Sequence, residues 1–153
     1  MRTPRAALDL IRTFESCRLD AYQDQGGVWT IGWGHARGVR EGDAITQADA
    51  DAMFMEDVRL TEELILKILP TPDLSDNQLG ALVSFCYNVG FGSPYKDGFQ
   101  MLKSGEESTL LKLLRAGDFE AAASEFLQWS YVAGKPCPGL LRRRLAEHDL
   151  FVG

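Results

Sequence analysis

The stretch FESCRLDAYQDQGGVWTIGWGH, residues 14–35, marks the point where the chain changes from one type of structure to another. Residues 3–15, which lead into it, have the apolar spacing of an amphipathic helix, with Thr3 as the N-cap and Pro4 at the first helical position. Inside the stretch helical spacing stops, and glycines separate short strand-like runs such as residues 28–31. Residues 17–39 are therefore predicted to form a small antiparallel sheet of two or three strands.

The chain after this sheet shows helical periodicity. Thr46 and Asp49 have the spacing of a capping box, so a long helix is predicted from Thr46 to about Leu69, before Pro70 and Pro72 stop it. At 1.5 Å per residue such a helix is about 35 Å long, enough to connect two lobes, although one long core helix is the simpler alternative.

A second capping box, Ser75 with Gln78, begins a helix that is predicted to run to about Tyr87. Residues 92–107 are rich in glycine, serine and lysine and are predicted to form a loop with at most one short helix. Further helices are predicted at 108–115, 119–129 and 140–149, with a loop at 135–139.

The composition excludes several classes of protein. A chain of 153 residues with 45% hydrophobic and 25% charged residues is long enough for one globular domain with a core. The formal net charge of −6 argues against nucleic acid as the main partner. No apolar run reaches membrane-spanning length, and charged residues interrupt the N-terminal segment, so neither stable membrane insertion nor a secretory signal is expected.

The three cysteines, Cys17, Cys86 and Cys137, are predicted to be free thiols, because their number and spacing fit neither a zinc site nor a disulfide framework. Cys17 is of interest because it lies two residues from Glu15. No metal ligand set and no cofactor motif is expected.

Two carboxylates in the opening stretch could form a catalytic pair. Hydrolysis of a glycosidic bond needs one carboxyl group that protonates the leaving oxygen and one carboxylate that activates water or attacks the sugar. Glu15 follows Phe14 at a helix end, whereas Asp24 lies in a polar turn, so the two environments differ as the two roles require. From the residues alone, Asp20 is an equal rival to Asp24, and solvated surface charges are the simpler alternative for all three.

The spacing of Glu15, Asp24 and Thr30 resembles the Glu-x8-Asp-x5-Thr triad of the phage-type lysozymes, or endolysins, of glycoside hydrolase family 24. The resemblance covers nearly the whole chain in order, through GDAIT (42–46), YNVG (87–90), STLL (108–111), GDF (117–119) and PGLLxRR (138–144). It implies an α+β, mostly α, lysozyme-like two-lobed fold in one catalytic domain, residues 1–153. The β lobe would be residues 17–45, the connecting helix 46–69, and the helical lobe 70–153 plus helix 3–15.

The resemblance also implies catalytic roles. Glu15 would be the general acid, and Asp24 and Thr30 would hold and activate the attacking water. Because a threonine cannot form a glycosyl intermediate as a carboxylate does, water would attack directly and the sugar configuration would invert. The implied enzyme is a muramidase that cleaves the β-1,4 bond between N-acetylmuramic acid and N-acetylglucosamine in peptidoglycan during host cell lysis.

Three further side chains are candidates for substrate binding. Tyr87 and Asn88 fall where the family lines the floor of its cleft, although a tyrosine on a helix can equally be part of the core. His35 could tune the site, or it could simply be a hydrogen-bonded residue of the hairpin. Arg143 is expected to pair with an acid behind Glu15 and so to hold the helix end.

The implied partner is a peptidoglycan glycan strand, bound by a monomer. The enzyme would be made in the host cytoplasm and would act on the periplasmic wall after a holin-type partner has permeabilised the membrane. The alternatives are a lytic transglycosylase, which uses one glutamate and no water-holding pair, and an inactive lysozyme-like domain that only binds glycan or protein. Use in a phage injection device or as a toxin would leave the chemistry unchanged.

The sequence departs from the family in three ways. Ser16 replaces the glycine that usually follows the catalytic glutamate, and its small size is expected to be harmless. Residues 91–107 are longer than the usual link between their two helices, so they could reshape substrate binding or act as a lid. The chain is acidic, whereas many relatives are basic, so tight electrostatic adsorption to the wall is not expected.

Overall fold

The computed structural model describes residues 1–70 and 73–153. In these two ranges the chain forms six α-helices, one 3-10 helix and two small antiparallel sheets. In chain order the elements are α1 (Arg5–Glu15), β1 (Arg18–Gln23), β2 (Trp29–Gly32), α2 (Gln47–Ile68), α3 (Asp76–Val89), α4 (Thr109–Arg115), α5 (Phe119–Glu125), the 3-10 helix Phe126–Trp129, β3 (Tyr131–Val132), β4 (Lys135–Pro136) and α6 (Pro138–Val152).

The long helix α2 begins where the sequence predicts. The Thr46 side chain accepts a hydrogen bond from the Asp49 amide, and the Asp49 side chain accepts one from the Thr46 amide, which completes the capping box. The helix ends at Ile68, before Pro70, and it contacts β2 on one side and α3 on the other. It therefore connects the β lobe to the helical lobe. The predicted stop at Pro72 lies outside the described residues.

The predicted N-terminal sheet is confirmed as the two-stranded antiparallel pair β1–β2. Tyr22 lies opposite Thr30 and Gln23 lies opposite Trp29, with an irregularity in the register towards the start of β1. This hairpin packs against α2, and residues 24–26 of its turn line a cleft together with residues of the helical lobe.

Helix α3 forms the centre of the helical lobe. Eight consecutive residues, 79–86, are buried, as expected for a helix that is surrounded by others. α1, α2 and α6 all pack against it. Phe85 makes edge-to-face contacts with Phe99, Phe126 and Trp129, which tie the loop after α3 and the 3-10 helix to α3.

Several local predictions were wrong. Thr3 does not cap α1: Pro4 is the N-cap residue, and the Thr3 hydroxyl instead donates to Glu62 on α2. The helix predicted at 119–129 is α5 followed by a 3-10 turn, and the final helix is longer than predicted because Pro138 already occupies its first turn.

The hairpin β3–β4 was not predicted. Its turn is Ala133-Gly134, both with φ in the left-handed region, and an alanine there lacks the Asn-Gly signal that marks such turns in a sequence. None of the helices in the two described ranges combines the length and apolar character needed to cross a bilayer.

Candidate active site

Glu15 is the last residue of α1, and three parts of the chain meet around its carboxylate. Its Oε1 lies 2.6 Å from Arg143 Nη1 of α6. A Cβ atom built on Gly34 of the β lobe would lie only 2.7 Å from Glu15 Oε2. The side chain is 19% exposed. The carboxylate is therefore fixed between α6 and the chain that follows β2, with limited access to solvent.

Arg143 is held in turn by buried partners. Its Nε donates to Glu147 Oε2 at 3.3 Å, and its Nη2 donates to the Ser84 carbonyl at 3.1 Å. Glu147 also accepts a hydrogen bond from the Ser84 hydroxyl at 2.6 Å and is fully buried. Burial raises the pKa of Glu147, although Arg144 and Arg143 act in the opposite direction. The expected pairing of Arg143 with an acid behind Glu15 is confirmed.

Asp24 begins the turn between β1 and β2. Its Oδ1 accepts hydrogen bonds from the amides of Gly26 and Val28, both at 2.9 Å, while its own amide donates to the Val28 carbonyl. This local pattern is the Asx-turn that aspartate favours, and it orients the exposed carboxylate through one oxygen. The rival Asp20 lies on β1 and bridges to Ala44. Of Glu15, Asp20 and Asp24, only Asp24 lines the cleft described below.

Thr30 lies on β2 and is 5% exposed. Its hydroxyl donates to the Val28 carbonyl at 2.9 Å, so the oxygen lone pairs remain available as acceptors. Val28 thus contacts both predicted water-holding side chains, Asp24 through its amide and Thr30 through its carbonyl.

Tyr22 is a site residue that sequence reasoning missed. It lies opposite Thr30 in the sheet. Burial raises the pKa of its phenol, and the charges of Glu15 and Asp24 raise it further, while Arg18, 4.4 Å above the ring, acts against them. Tyr22 is therefore close enough to both carboxylates to feel their charge. The available signal was its position two residues before Asp24, near the end of the strand that leads into the turn.

A cleft of about 780 Å³ lies between the two lobes. Its walls come from the turn at residues 24–26, the end of α3, the loop residues 95–97 and 103, and the hairpin β3–β4. Asn88 lines this cleft, and its Oδ1 accepts a hydrogen bond from Arg144 Nη2. Asn88 is thereby connected to the same buried arginine and glutamate network that holds Glu15.

Tyr87 and His35 line a second, smaller pocket of about 260 Å³ rather than the main cleft. The Tyr87 hydroxyl donates to the Trp33 carbonyl at 2.5 Å, and burial is the main reason that the pKa of Tyr87 is raised. His35 Nδ1 lies 2.7 Å from Asp57 of α2, and its Nε2 lies 2.9 Å from the Arg37 carbonyl. The contacts of both side chains within the protein join the β lobe to α2 and α3.

The three cysteines are free thiols, as predicted. Cys17 Sγ lies 3.7 Å from the side-chain nitrogen Nε2 of Gln47, at the start of α2. Cys86 is buried in α3, and burial raises the pKa of its thiol well above the ordinary value.

The mostly helical, two-lobed fold with its small antiparallel β lobe is that of a lysozyme-type lytic enzyme. The model of the phage lysozyme family matches residues 12–147. The chain belongs to the phage lysozyme family and is a peptidoglycan-lytic enzyme of glycosidase type.

Individual relatives agree with this assignment. The endolysin of Acyrthosiphon pisum secondary endosymbiont phage 1 is 39% identical, over 99% of this chain and 98% of that protein. The endolysin of Bacillus phage B103 is 38% identical over 99% of this chain, which spans only 54% of that longer relative. Among solved structures, the muramidase domain of SpmX from Asticaccaulis excentricus is similar with a TM-score of 0.79 and 34% identity, over 99% of this chain and 97% of that one.

Proposed function

We propose that this enzyme is an inverting muramidase that hydrolyses the β-1,4 bond between N-acetylmuramic acid and N-acetylglucosamine. The observation that carries the proposal is the contrast between the surroundings of the Glu15 carboxylate and those of the Asp24 carboxylate. Glu15 is largely enclosed and paired with Arg143, whereas Asp24 is exposed and bound by backbone amides. Two carboxyl groups in different environments suit the roles of acid and water activator.

Glu15 acts as the general acid in this mechanism. Arg143 Nη1 occupies Oε1 at 2.6 Å, so Oε2 is the oxygen that is left to carry the proton to the glycosidic oxygen. The absence of a side chain at Gly34 gives Oε2 its space. Arg143 holds the acid in one orientation, which lowers the entropic cost of reaching the reactive geometry.

Asp24 and Thr30 position the attacking water. Asp24 accepts a proton from water, and Thr30, whose own hydrogen is bonded to the Val28 carbonyl, accepts the second hydrogen bond. Water then attacks the anomeric carbon on the face opposite the leaving oxygen, so that the product has inverted configuration.

Of the candidate substrate-binding residues, Asn88 is proposed to contact the glycan because it lines the main cleft. Tyr87 and His35 are proposed to help substrate binding indirectly. They do not line the main cleft, but they hold the Trp33 carbonyl and Asp57 in place. No cofactor takes part in the proposed reaction.

Residues 1–153 are proposed to act as one catalytic unit, as a monomer, in host cell lysis. The endolysin relatives support action on the cell wall. We propose that the enzyme is made in the host cytoplasm and reaches the periplasmic wall once a holin-type partner has opened the membrane. Culture lysis by the chain expressed alone would contradict the need for that partner, and lysis only upon co-expression of a permeabiliser is expected.

The chemistry is tested by digestion of purified peptidoglycan with the wild type and with the variants Glu15→Gln, Asp24→Asn and Asp20→Asn, with products identified by mass spectrometry. We expect reducing N-acetylmuramic acid ends from the wild type. We expect losses of about 10²- to 10⁴-fold for Glu15→Gln and Asp24→Asn, the range typical of acid–base residues. Asp20→Asn is the matched control and should stay within about twofold of the wild type, because exposed charges contribute little.

The first anomer released, read by NMR, should be α if the reaction inverts. A β anomer would overturn the proposed water-activating roles. Anhydro ends would indicate a transglycosylase instead, and the absence of products from folded wild-type protein would indicate a binding domain.

A further inference from the structure

The loop between α3 and α4 forms one wall of the main cleft. We call residues 92–103 of this loop the arm. Tyr95, Lys96, Asp97 and Lys103 of the arm line the cleft, together with Asp24 and Asn88. Tyr95 is 90% exposed, and both lysines are exposed. The arm thus presents two cations and an aromatic ring on the surface that faces the proposed substrate.

The arm is fixed to the helical lobe. Phe99 is fully buried in the core, and its amide donates to the Gly90 carbonyl at 3.0 Å. The Phe99 carbonyl accepts the Ser108 hydroxyl at 2.5 Å, so the arm is anchored to the N-cap of α4. Within the arm, Asp97 Oδ1 accepts the Lys103 amide at 2.7 Å. A segment anchored in this way holds its exposed side chains near one place, which reduces the entropic cost of binding.

The two lysines of the arm leave their ammonium groups available to a ligand. In the described parts of the chain neither ammonium group has an ion-pair partner. The other charged groups that line the cleft are Asp24 and Asp97, and Asp97 is already bonded to the Lys103 amide. The lining thus has no net formal charge in a chain whose formal charge is −6, and its two ammonium groups without ion-pair partners favour an anionic ligand.

We propose that Lys96 and Lys103 make the arm a specificity element that binds carboxylates of the peptide stems of peptidoglycan. The inference rests on the proposed muramidase function. In an intact strand the carboxyl group of each muramic acid is bound in an amide to its stem, so the free carboxylates belong to the stem peptides. A lysine ammonium is a suitable point-charge donor for such flexible carboxylates.

The test uses one soluble glycan oligomer in two forms, with free stem carboxylates and with the same carboxylates converted to carboxamides. The measured quantity is the ratio of kcat/KM on the carboxylate form to kcat/KM on the amide form. We expect the wild type to prefer the carboxylate form by about two- to tenfold, the range of two exposed ion pairs. Raised ionic strength should shrink this preference.

The double variant Lys96→Gln/Lys103→Gln should bring the ratio close to one. Lys67→Gln is the matched control, because this lysine lies in the last turn of α2 and does not line the cleft; it should keep the wild-type ratio. The oligomers carry no phosphate, so a preference seen only on whole walls would assign the lysines to wall phosphates and overturn the proposal. A wild-type ratio of one, or a double variant that keeps the wild-type ratio, would also overturn it. Failure of the wild type to cleave either oligomer would instead overturn the muramidase function itself.

Discussion

Arg143 Nη1 lies 2.6 Å from Glu15 Oε1, and this ion pair joins α6 to the end of α1 across 128 positions of the chain. The same guanidinium is held by Glu147 and by the Ser84 carbonyl, and it is almost completely buried. The planar guanidinium reaches three partners in fixed directions, which a lysine ammonium cannot do. Arg143 is therefore a positioning residue for the proposed acid.

Arg143→Lys should keep the positive charge but lose the fixed orientation of Glu15. We expect kcat on glycan oligomers to fall by about 10- to 100-fold, since a small misplacement of a catalytic group has effects of this order. KM should change less, because the residue is not on the surface of the main cleft. Arg142→Lys, at the exposed neighbouring position, serves as the control. A folded Arg143→Lys variant with the kcat of the wild type would show that the ion pair is not needed for positioning.

The backbone conformation of Ser16 indicates that a serine at this position has a cost in stability, although it was expected to be harmless. Its φ of 50° with ψ of 151° belongs to a region that glycine occupies easily and other residues rarely. Ser16→Gly should therefore raise the free energy of unfolding by about 1 kcal/mol, measured by urea denaturation. Ala133, which has φ 50° in the exposed β3–β4 turn, offers a matched control as Ala133→Gly, with a gain of the same sign. A loss of stability in Ser16→Gly would mean that the serine side chain stabilises the end of α1.

Local sequence signals predicted the parts of the fold that depend on local chemistry. The starts of α2 and α3 follow from the side chains of Thr46 and Ser75 and their partners three residues on, because a capping box needs no other part of the chain. The turn around Asp24 likewise depends on its own Asx hydrogen bonds. The candidate triad could thus be found by spacing once the family resemblance was recognised.

The features that were missed depend on contacts between distant residues. Thr3 has a side chain that suits an N-cap, but its hydroxyl donates a hydrogen bond to Glu62, 59 positions later in the chain. Tyr22 becomes a site residue only because the sheet register and the end of α1 bring it near two carboxylates. Periodicity contains no information on such pairings, and this is why the placement of Tyr87 and His35 outside the main cleft could not be predicted.

Ionisation of Tyr87 should make the enzyme less stable at alkaline pH. Its folded pKa is raised above the ordinary value of 10.0, mainly by burial, so the folded state holds the phenol proton more tightly than the unfolded state. The contribution is complete below pH 10 and is lost as the pH rises above it, with a slope of about 1.4 kcal/mol per pH unit. Tyr22 and Cys86 have raised pKa values too and add to the same loss.

Above pH 10, Tyr87→Phe should therefore reduce the slope of unfolding free energy against pH by about 1.4 kcal/mol per pH unit, the contribution of one proton. The slope that remains is due to Tyr22 and Cys86. The measurement is urea denaturation between pH 8 and pH 11. Tyr95→Phe, at a 90% exposed position, is the control for loss of a tyrosine hydroxyl. Equal slopes for Tyr87→Phe and the wild type would show that ionisation of this phenol is not linked to unfolding.

Glu62 fixes the N-terminus to α2. Its Oε1 accepts the amides of Arg2 and Thr3 and the Thr3 hydroxyl, at 2.9, 2.7 and 2.7 Å, and the side chain is buried. Glu62→Gln should lower the free energy of unfolding by about 1–3 kcal/mol, because the amide oxygen of glutamine is a weaker hydrogen-bond acceptor than a carboxylate oxygen. Glu63→Gln is the control, since Glu63 makes an exposed pair with Arg59 that contributes less than about 1 kcal/mol. Equal losses in the two variants would contradict a structural role for the Glu62 contacts.

Alanine variants at Gly34 and Gly38 can separate the effect of backbone strain from a direct effect on the proposed acid, Glu15. Gly34 and Gly38 both have φ in the left-handed region, 86° and 74°. An alanine Cβ at Gly34 would lie 2.7 Å from Glu15 Oε2, whereas at Gly38 it would meet nothing within 4 Å. Both alanine variants should lose about 1 kcal/mol of stability, because an L-residue is disfavoured there. Only Gly34→Ala should also lose activity on glycan oligomers, by about tenfold or more, since its methyl group displaces the carboxylate. Similar kcat values for the two variants would show that Oε2 is not the oxygen that delivers the proton.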